Sequence, residues 1–182
     1  YYTEDDRPTT NKNSYLVNKH KLLKVDELNN NAITNSTLDK ITKLLKKDKS
    51  QILVFSDFRH GIFNNQTLSK ILDSTNHKTF KVADSQVASR WGNISDFKNF
   101  DLLTPTEREA RYSLFEQDTP IRNLVGNLQK KSKASNIILK LGERGLISIS
   151  RKKNDYIALD PFVENLVDSN GAGDALLAYS AS

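Results

Sequence analysis

Cysteine and methionine are both absent from the 182 residues, tryptophan occurs once, histidine three times, proline four times and glycine seven times. Without cysteine there is no disulfide and no thiolate metal site, which fits a cytoplasmic chain. No histidine pair has metal-ligand spacing. No apolar run approaches the roughly 20 residues that cross a bilayer, so no membrane partner is expected. The opening segment YYTEDDRPTT is polar and acidic. It lacks the basic, apolar profile of a secretion signal or a mitochondrial presequence. No methionine opens the chain, so it is expected to begin within a longer protein.

Hydrophobic residues make up 37% of the chain, enough for a core, and the net charge is +5. The basic residues gather at 43–49 (KLLKKDK), 130–133 (KKSK) and 151–153 (RKK). On helices such clusters are usually solvated faces. The other reading is an anionic partner, a nucleotide, a sugar phosphate or a nucleic acid. No zinc-finger spacing and no aromatic RNA-binding motif accompanies them, so no nucleic acid partner is expected.

Along the chain, periodicity alternates between strand and helix. Residues 14–18 and 21–26 read as two short extended segments, able to form a small sheet of their own. Residues 36–47 take helical spacing, with Leu38, Ile41, Leu44 and Leu45 on one face and Ser36 as the expected cap. QILVFSD (51–57) is a continuous apolar run, the pattern of a strand buried on both faces of a parallel sheet. A helix is predicted over 65–73, strands over 79–84 and 100–104, and a helix over 106–116. A further helix starts at Pro120, with Ile121, Leu124, Val125 and Leu128 aligned. A strand over 136–142 precedes a β–β excursion at 146–150 and 156–159. NLVD (165–168) leads into a glycine turn and a last helix. This alternation defines an α/β class with a mostly parallel central sheet flanked by helices. Ligands in such sheets bind outside the C-terminal strand ends, where the sequence places Asp57, Asp84, Thr104, Gly142 and Asp168.

Glycine is scarce, yet Gly142, Gly145, Gly171 and Gly173 fall in two short turns after strands. In DSNGAGD (168–174), Gly171 and Gly173 permit a tight strand-to-helix turn whose backbone N–H groups face a ligand without an intervening Cβ. At a helix N-terminus such groups and the macrodipole favour an anion. An aspartate there is out of place for phosphate binding alone. It makes sense where Asp174 accepts a proton from an attacking hydroxyl, with the turn amides holding charge on a phosphoryl group. The bland alternative is an acid complementing the first helical turn.

DSNGAGD resembles the D-T-x-G-A-G-D signature of the ribokinase-like (PfkB) carbohydrate kinases, and five more stretches agree with that family in order. SDFRHG (56–61) resembles the S-D-Y-x-K-G of the heptose-phosphate kinase branch. LLTPTEREA (102–110) resembles its L-L-T-P-N-x-x-E-A, and LKLGERG (139–145) its V-T-L-G-E-R-G. At the start, RPTTNK (7–12) and KLLKVD (21–26) resemble R-P-T-T-x-K and L-L-R-V-D. The resemblance runs over almost the whole chain.

What this resemblance implies is an ATP-dependent sugar or sugar-phosphate kinase with Mg²⁺, built on a three-layer ribokinase-like fold with a small β lid. Residues 1–30 would belong to the lid and its connection, and 31–182 to the kinase core. Asp174 would be the general base, with Gly171, Ala172 and Gly173 supplying the anion-hole amides. Glu109 would help place Mg²⁺, through water. Lys140, Gly142, Gly145 and Asp168 would lie on the nucleotide side. Arg7, Thr10, Lys12, Asp57 and Arg59 would lie toward the sugar, with His60 nearby. Homodimerisation through the lid, and a fused or separate nucleotidyltransferase domain, are the partners such a branch suggests. Complete members are longer at both ends, so this chain is expected to be a piece of one, with turnover in doubt for the piece alone. Thr106 stands in place of the motif asparagine, Lys140 of a threonine, His60 of a lysine and Ser14 of an arginine; Gln86 also departs from the usual residue. These substitutions keep a second reading open, a non-catalytic nucleotide- or sugar-binding member of the same fold.

Overall fold

A computed structural model describes residues 1–18, 20–86, 93–153, 155–162 and 169–182. Its internal contacts divide the chain into two compact units, Tyr1–Asp48 with His60–Thr75, and Lys49–Arg59 with Asn76–Ser182. Trp91, Asp168 and the 165–168 segment, all singled out from the sequence, lie outside the described residues.

In the first unit, β1 (Asn11–Val17) and β2 (His20–Glu27) form a two-stranded antiparallel ribbon. The register irregularity falls between Tyr15 and Leu16. Tyr15, Leu16, Val17, Leu22 and Leu23 are exposed on this ribbon. Helices α1 (Asn35–Leu45) and α2 (Asn65–Asp73) are in contact and bury Leu38, Leu45, Leu68 and Ile71. The cap of α1 is Thr34, whose hydroxyl accepts the Thr37 N–H at 3.3 Å, in place of the expected Ser36. A helix beginning one residue earlier moves Ser36 inside the first turn, where it has no capping geometry. Helix α2 starts as predicted, with Asn64 and Thr67 in a reciprocal capping box.

The second unit holds a six-stranded sheet in the order β3 (Ile52–Asp57), β4 (Phe80–Ser85), β5 (Leu102–Leu103), β6 (Asn136–Lys140), β7 (Leu146–Ser150) and β8 (Asp155–Leu159). The first four strands run parallel and the last two return antiparallel. Helix α3 (Glu107–Leu114) packs on β6, and α4 (Ile121–Ser132) on β6 and β7. In the apolar stripe of α4, Leu124, Val125 and Leu128 are fully buried and Ile121, in the first turn, is half-buried. Helix α5 (Ala172–Ala181) lies against β4, where Leu177 and Ala181 cluster with Val82 and Leu102. Strand alternation points Leu103 and Ile137 to the other face, and both are fully buried. Helices thus cover the sheet on two sides, giving three layers. Phe55, Phe97 and Phe100 meet edge to face, with ring centroids 4.9 to 6.3 Å apart.

β3 departs from its sequence reading. The apolar run predicts burial on both faces, yet Ile52 and Val54 remain 37% and 44% exposed. β3 is the end strand of the sheet and pairs only with β4 among the described strands. Its apolar content therefore exceeds what its neighbours cover. No helix among the described residues is long and apolar enough to cross a membrane.

Candidate active site

The C-terminal ends of the parallel strands gather the polar groups of the second unit. Lys140 closes β6, and its backbone is fixed by a parallel bridge to Thr106 and by donation of its N–H to the Pro105 carbonyl at 2.8 Å. Its ammonium lies 3.2 and 3.1 Å from the two carboxylate oxygens of Asp84, at the end of β4. The same Nζ would stand 3.4 Å from a Cβ placed on Gly173, so it sits over the turn that starts α5.

That turn is built on Gly171, whose φ of +80° is left-handed. Only glycine takes this conformation at no steric cost. A Cβ at Gly171 would meet nothing within 4 Å, so the turn faces open space. Of the amides at this turn, the Ala172 N–H donates to the Ser169 carbonyl at 3.2 Å, so the sequence expectation that it faces an anion does not hold in this turn. Asp174 follows in the first turn and is exposed. Gly171, Ala172, Gly173 and Asp174 are therefore brought together with Lys140 and Asp84.

Glu109 is buried at the start of α3. Its Oε2 accepts the Thr106 N–H at 2.7 Å, while the Thr106 hydroxyl accepts the Glu109 N–H at 3.3 Å. This reciprocal cap shows what threonine does at position 106: its hydroxyl holds the helix start. Burial raises the Asp84 carboxyl above its ordinary range against the pull of Lys140, and the charge of Asp174 adds to the rise. Burial likewise raises Glu109, opposed by the Thr106 N–H and reinforced by Asp84. Asp84 and Glu109 both feel the Lys140 ammonium, and Asp174 adds its negative charge beside Asp84.

Gly142 and Gly145 bracket the turn after β6, with φ of +63° and +79°. Gly142 is open, whereas a Cβ on Gly145 would come within 2.0 Å of the Leu159 carbonyl oxygen. Gly145 is thus required by backbone approach, whatever else it touches. Beside this turn a cavity of about 710 Å³ is lined by Thr106, Arg108, Tyr112, Lys140, Leu141 and Gly142, among others.

Asp57, at the end of β3, is buried and accepts from the Arg59 N–H at 2.8 Å, the Arg59 Nη1 at 2.8 Å and the Ser85 hydroxyl at 2.9 Å. Arg59 has φ of +63°, an uncommon conformation for a side chain of its size. In the first unit, Arg7 spends all five of its N–H donors. Nε binds Glu4, Nη1 the carbonyls of Asn29 and His60, and Nη2 those of Asn31 and Ala32, at 2.8 to 3.2 Å. Thr10 contacts His60 Nδ1 at 3.3 Å, and Lys12 is exposed on β1. The sequence names Asp84 only as a strand end and gives no sign of its pairing with Lys140. The one available signal is that both residues close strands of the same parallel sheet.

Among the described residues no three His, Cys, Asp or Glu side chains gather as a direct metal site. With one Glu109 oxygen committed to Thr106 and Asp84 engaged by Lys140, the donor set fits a cation reached through water or carried by phosphate.

The fold is shared with solved sugar kinases. The structure matches the ribokinase of Giardia lamblia with a TM-score of 0.70 and 18% identity, over 94% of this chain and 54% of that one. It matches the Arabidopsis thaliana ribokinase complexed with ribose and ATP with a TM-score of 0.65 and 14% identity, over 95% and 55%. The molecule is therefore a ribokinase-like α/β protein. Its sequence matches the profile of the pfkB family of carbohydrate kinases over residues 1–179, and the chain belongs to that family. Bifunctional protein HldE of Aliarcobacter butzleri is 23% identical over 184 residues, which cover 98% of this chain and 37% of the relative. The chain thus spans little over a third of that relative and about half of the ribokinases.

Proposed function

We propose that this chain carries the phosphoryl-transfer centre of an ATP-dependent sugar or sugar-phosphate kinase. The observation that carries the reading is the exposed carboxylate of Asp174 in the first turn of α5, directly behind the left-handed Gly171. Asp174 takes the proton of the acceptor hydroxyl as its oxygen bonds to the γ-phosphorus and the bond to the departing ADP breaks. The amides of Gly171 and Gly173 hold charge on the phosphoryl oxygens, while the Ala172 N–H holds the turn through the Ser169 carbonyl. Gly142 and the cavity beside it take the nucleotide, and Asp168, the first residue of the signature sequence, is assigned to the same nucleotide side. Mg²⁺ arrives with the nucleotide and neutralises its phosphates; Glu109 is the residue suited to hold it through water.

On the acceptor side, Arg59 is the proposed contact of the second unit, and Thr10 and Lys12 are those of the first, each unit taken by itself. Arg7, with every donor committed, shapes that segment by holding four backbone carbonyls. The resemblance of the sequence motifs to the heptose-phosphate kinase branch suggests a phosphorylated heptose as acceptor and a nucleotidyltransferase as partner. Cytoplasmic localisation and lid-mediated dimerisation belong to the same proposal.

The test is a coupled ADP-release assay with a panel of sugars and sugar phosphates, on a protein containing this chain. Asp174→Asn is expected to lower turnover by roughly 10²–10⁴-fold while ATP still binds. Equal turnover in both proteins would remove Asp174 from the chemistry. A protein that binds ATP and sugar phosphate with no turnover, unchanged by Asp174→Asn, would establish instead the non-catalytic binding member that Thr106 and Lys140 bring to mind.

A further inference from the structure

We propose that Lys140 is a built-in phosphate-binding cation, whose ammonium passes from Asp84 to the polyphosphate of the bound nucleotide and makes that binding less dependent on divalent metal. The inference rests on the kinase reading above and assigns one of its residues a role that the family signature, with threonine here, does not supply.

The backbone of Lys140 is held on both sides of its strand end, so the side chain alone can move. Its Nζ lies 3.1 and 3.2 Å from the Asp84 oxygens and 3.4 Å from the Cβ position of Gly173, and the residue lines the cavity beside Gly142. A charge-assisted N–H···O bond is normally about 2.7–2.9 Å long. The two Asp84 contacts are longer and nearly equal, so the ammonium straddles the carboxylate and remains open to a stronger acceptor. Phosphate oxygens are such acceptors, and a compact lysine charge suits them. Asp84 would then be a positioning residue, holding the cation at the turn while the site is free of nucleotide. Around it, Glu109 and Asp174 add negative charge, which an incoming triphosphate meets with the Lys140 ammonium already in place.

Calorimetric titration with ATP and with AMP, each in Mg²⁺ and in EDTA, tests this on the protein, Lys140→Thr, Lys140→Met and Asp84→Asn, with circular dichroism as the control for folding. In EDTA both Lys140 variants should bind ATP at least about tenfold more weakly, as expected for loss of a charge-assisted contact. AMP should change little, and Mg²⁺ should shrink the difference. Asp84→Asn, which frees the ammonium, should bind ATP in EDTA as well as or better than the parent. A merely structural ion pair would move both variants in the same direction, since either substitution breaks it. If ATP binds with Mg²⁺ but the EDTA-to-Mg²⁺ ratio is the same with and without Lys140, the inference is overturned and the kinase reading stands. If no adenine nucleotide binds in either buffer, both fall together.

Discussion

Replacing Glu4 by glutamine should destabilise the first unit at neutral pH and leave it unchanged in acid. Glu4 accepts the Thr34 N–H and hydroxyl at 2.8 Å each and the Arg7 Nε–H at 2.9 Å. Hydrogen bonds from Thr37, from the Thr34 backbone and from Arg7 together lower its pKa from 4.5 to about 2. Folding therefore favours the ionised form. The stabilisation is complete above the unfolded pKa near 4.5 and is lost as pH falls from there toward 2. A drop of that size, at about 1.4 kcal/mol per pH unit, sets a ceiling of about 3 kcal/mol. Solvent screening at the rim of the molecule reduces the expected value to about 1–2 kcal/mol. Hydrogen exchange at the Thr34 amide reads this unit directly, and urea unfolding by circular dichroism reads the whole. The gap between parent and Glu4→Gln should be full at pH 7, narrower at pH 3.5 and nearly closed at pH 2.5. A gap that stays constant across this range would show that the charge of Glu4 contributes nothing, and would refute the reasoning.

Phe100→Ala removes a fully buried ring that meets Phe55 at 4.9 Å and Phe97 at 5.4 Å. Urea unfolding should show a loss of about 3–5 kcal/mol. Gly145→Ala places a methyl group 2.0 Å from the Leu159 carbonyl oxygen at a φ of +79°, and thermal melts should register more than about 2 kcal/mol of destabilisation. The Asp174→Asn and Lys140→Thr experiments then separate the proton acceptor from the phosphate cation, since the first should change turnover with ATP bound and the second should change ATP binding itself.

The elements were legible wherever local pattern decides. α2 occupies 65–73 as its spacing dictates, and Leu124, Val125 and Leu128 of the α4 stripe are buried as predicted, with Ile121 only half-buried. The glycine turn before α5 could be read because its chemistry lies within seven consecutive residues. What stayed hidden joins distant positions. Lys140 and Asp84 are 56 residues apart, and Arg7 reaches His60 across 53. Periodicity carries no information about such pairs, since they depend on strand order and loop path. The burial of β3 was misjudged for a related reason: an apolar run shows what a strand can bury, and only its neighbours decide how much it does bury.

The close approach of Gly145 to the Leu159 carbonyl ties the loop beside the cavity to the far end of the β7–β8 hairpin. The hairpin is thus unequal ground for protein engineering. Its tip at 151–153 is exposed, and a fluorophore or affinity tag grafted there would leave the loop undisturbed. The same cargo spliced in after Leu159 would tug directly on the wall of the cavity. Labelling chemistry aimed at watching ligand entry should therefore be anchored at the tip.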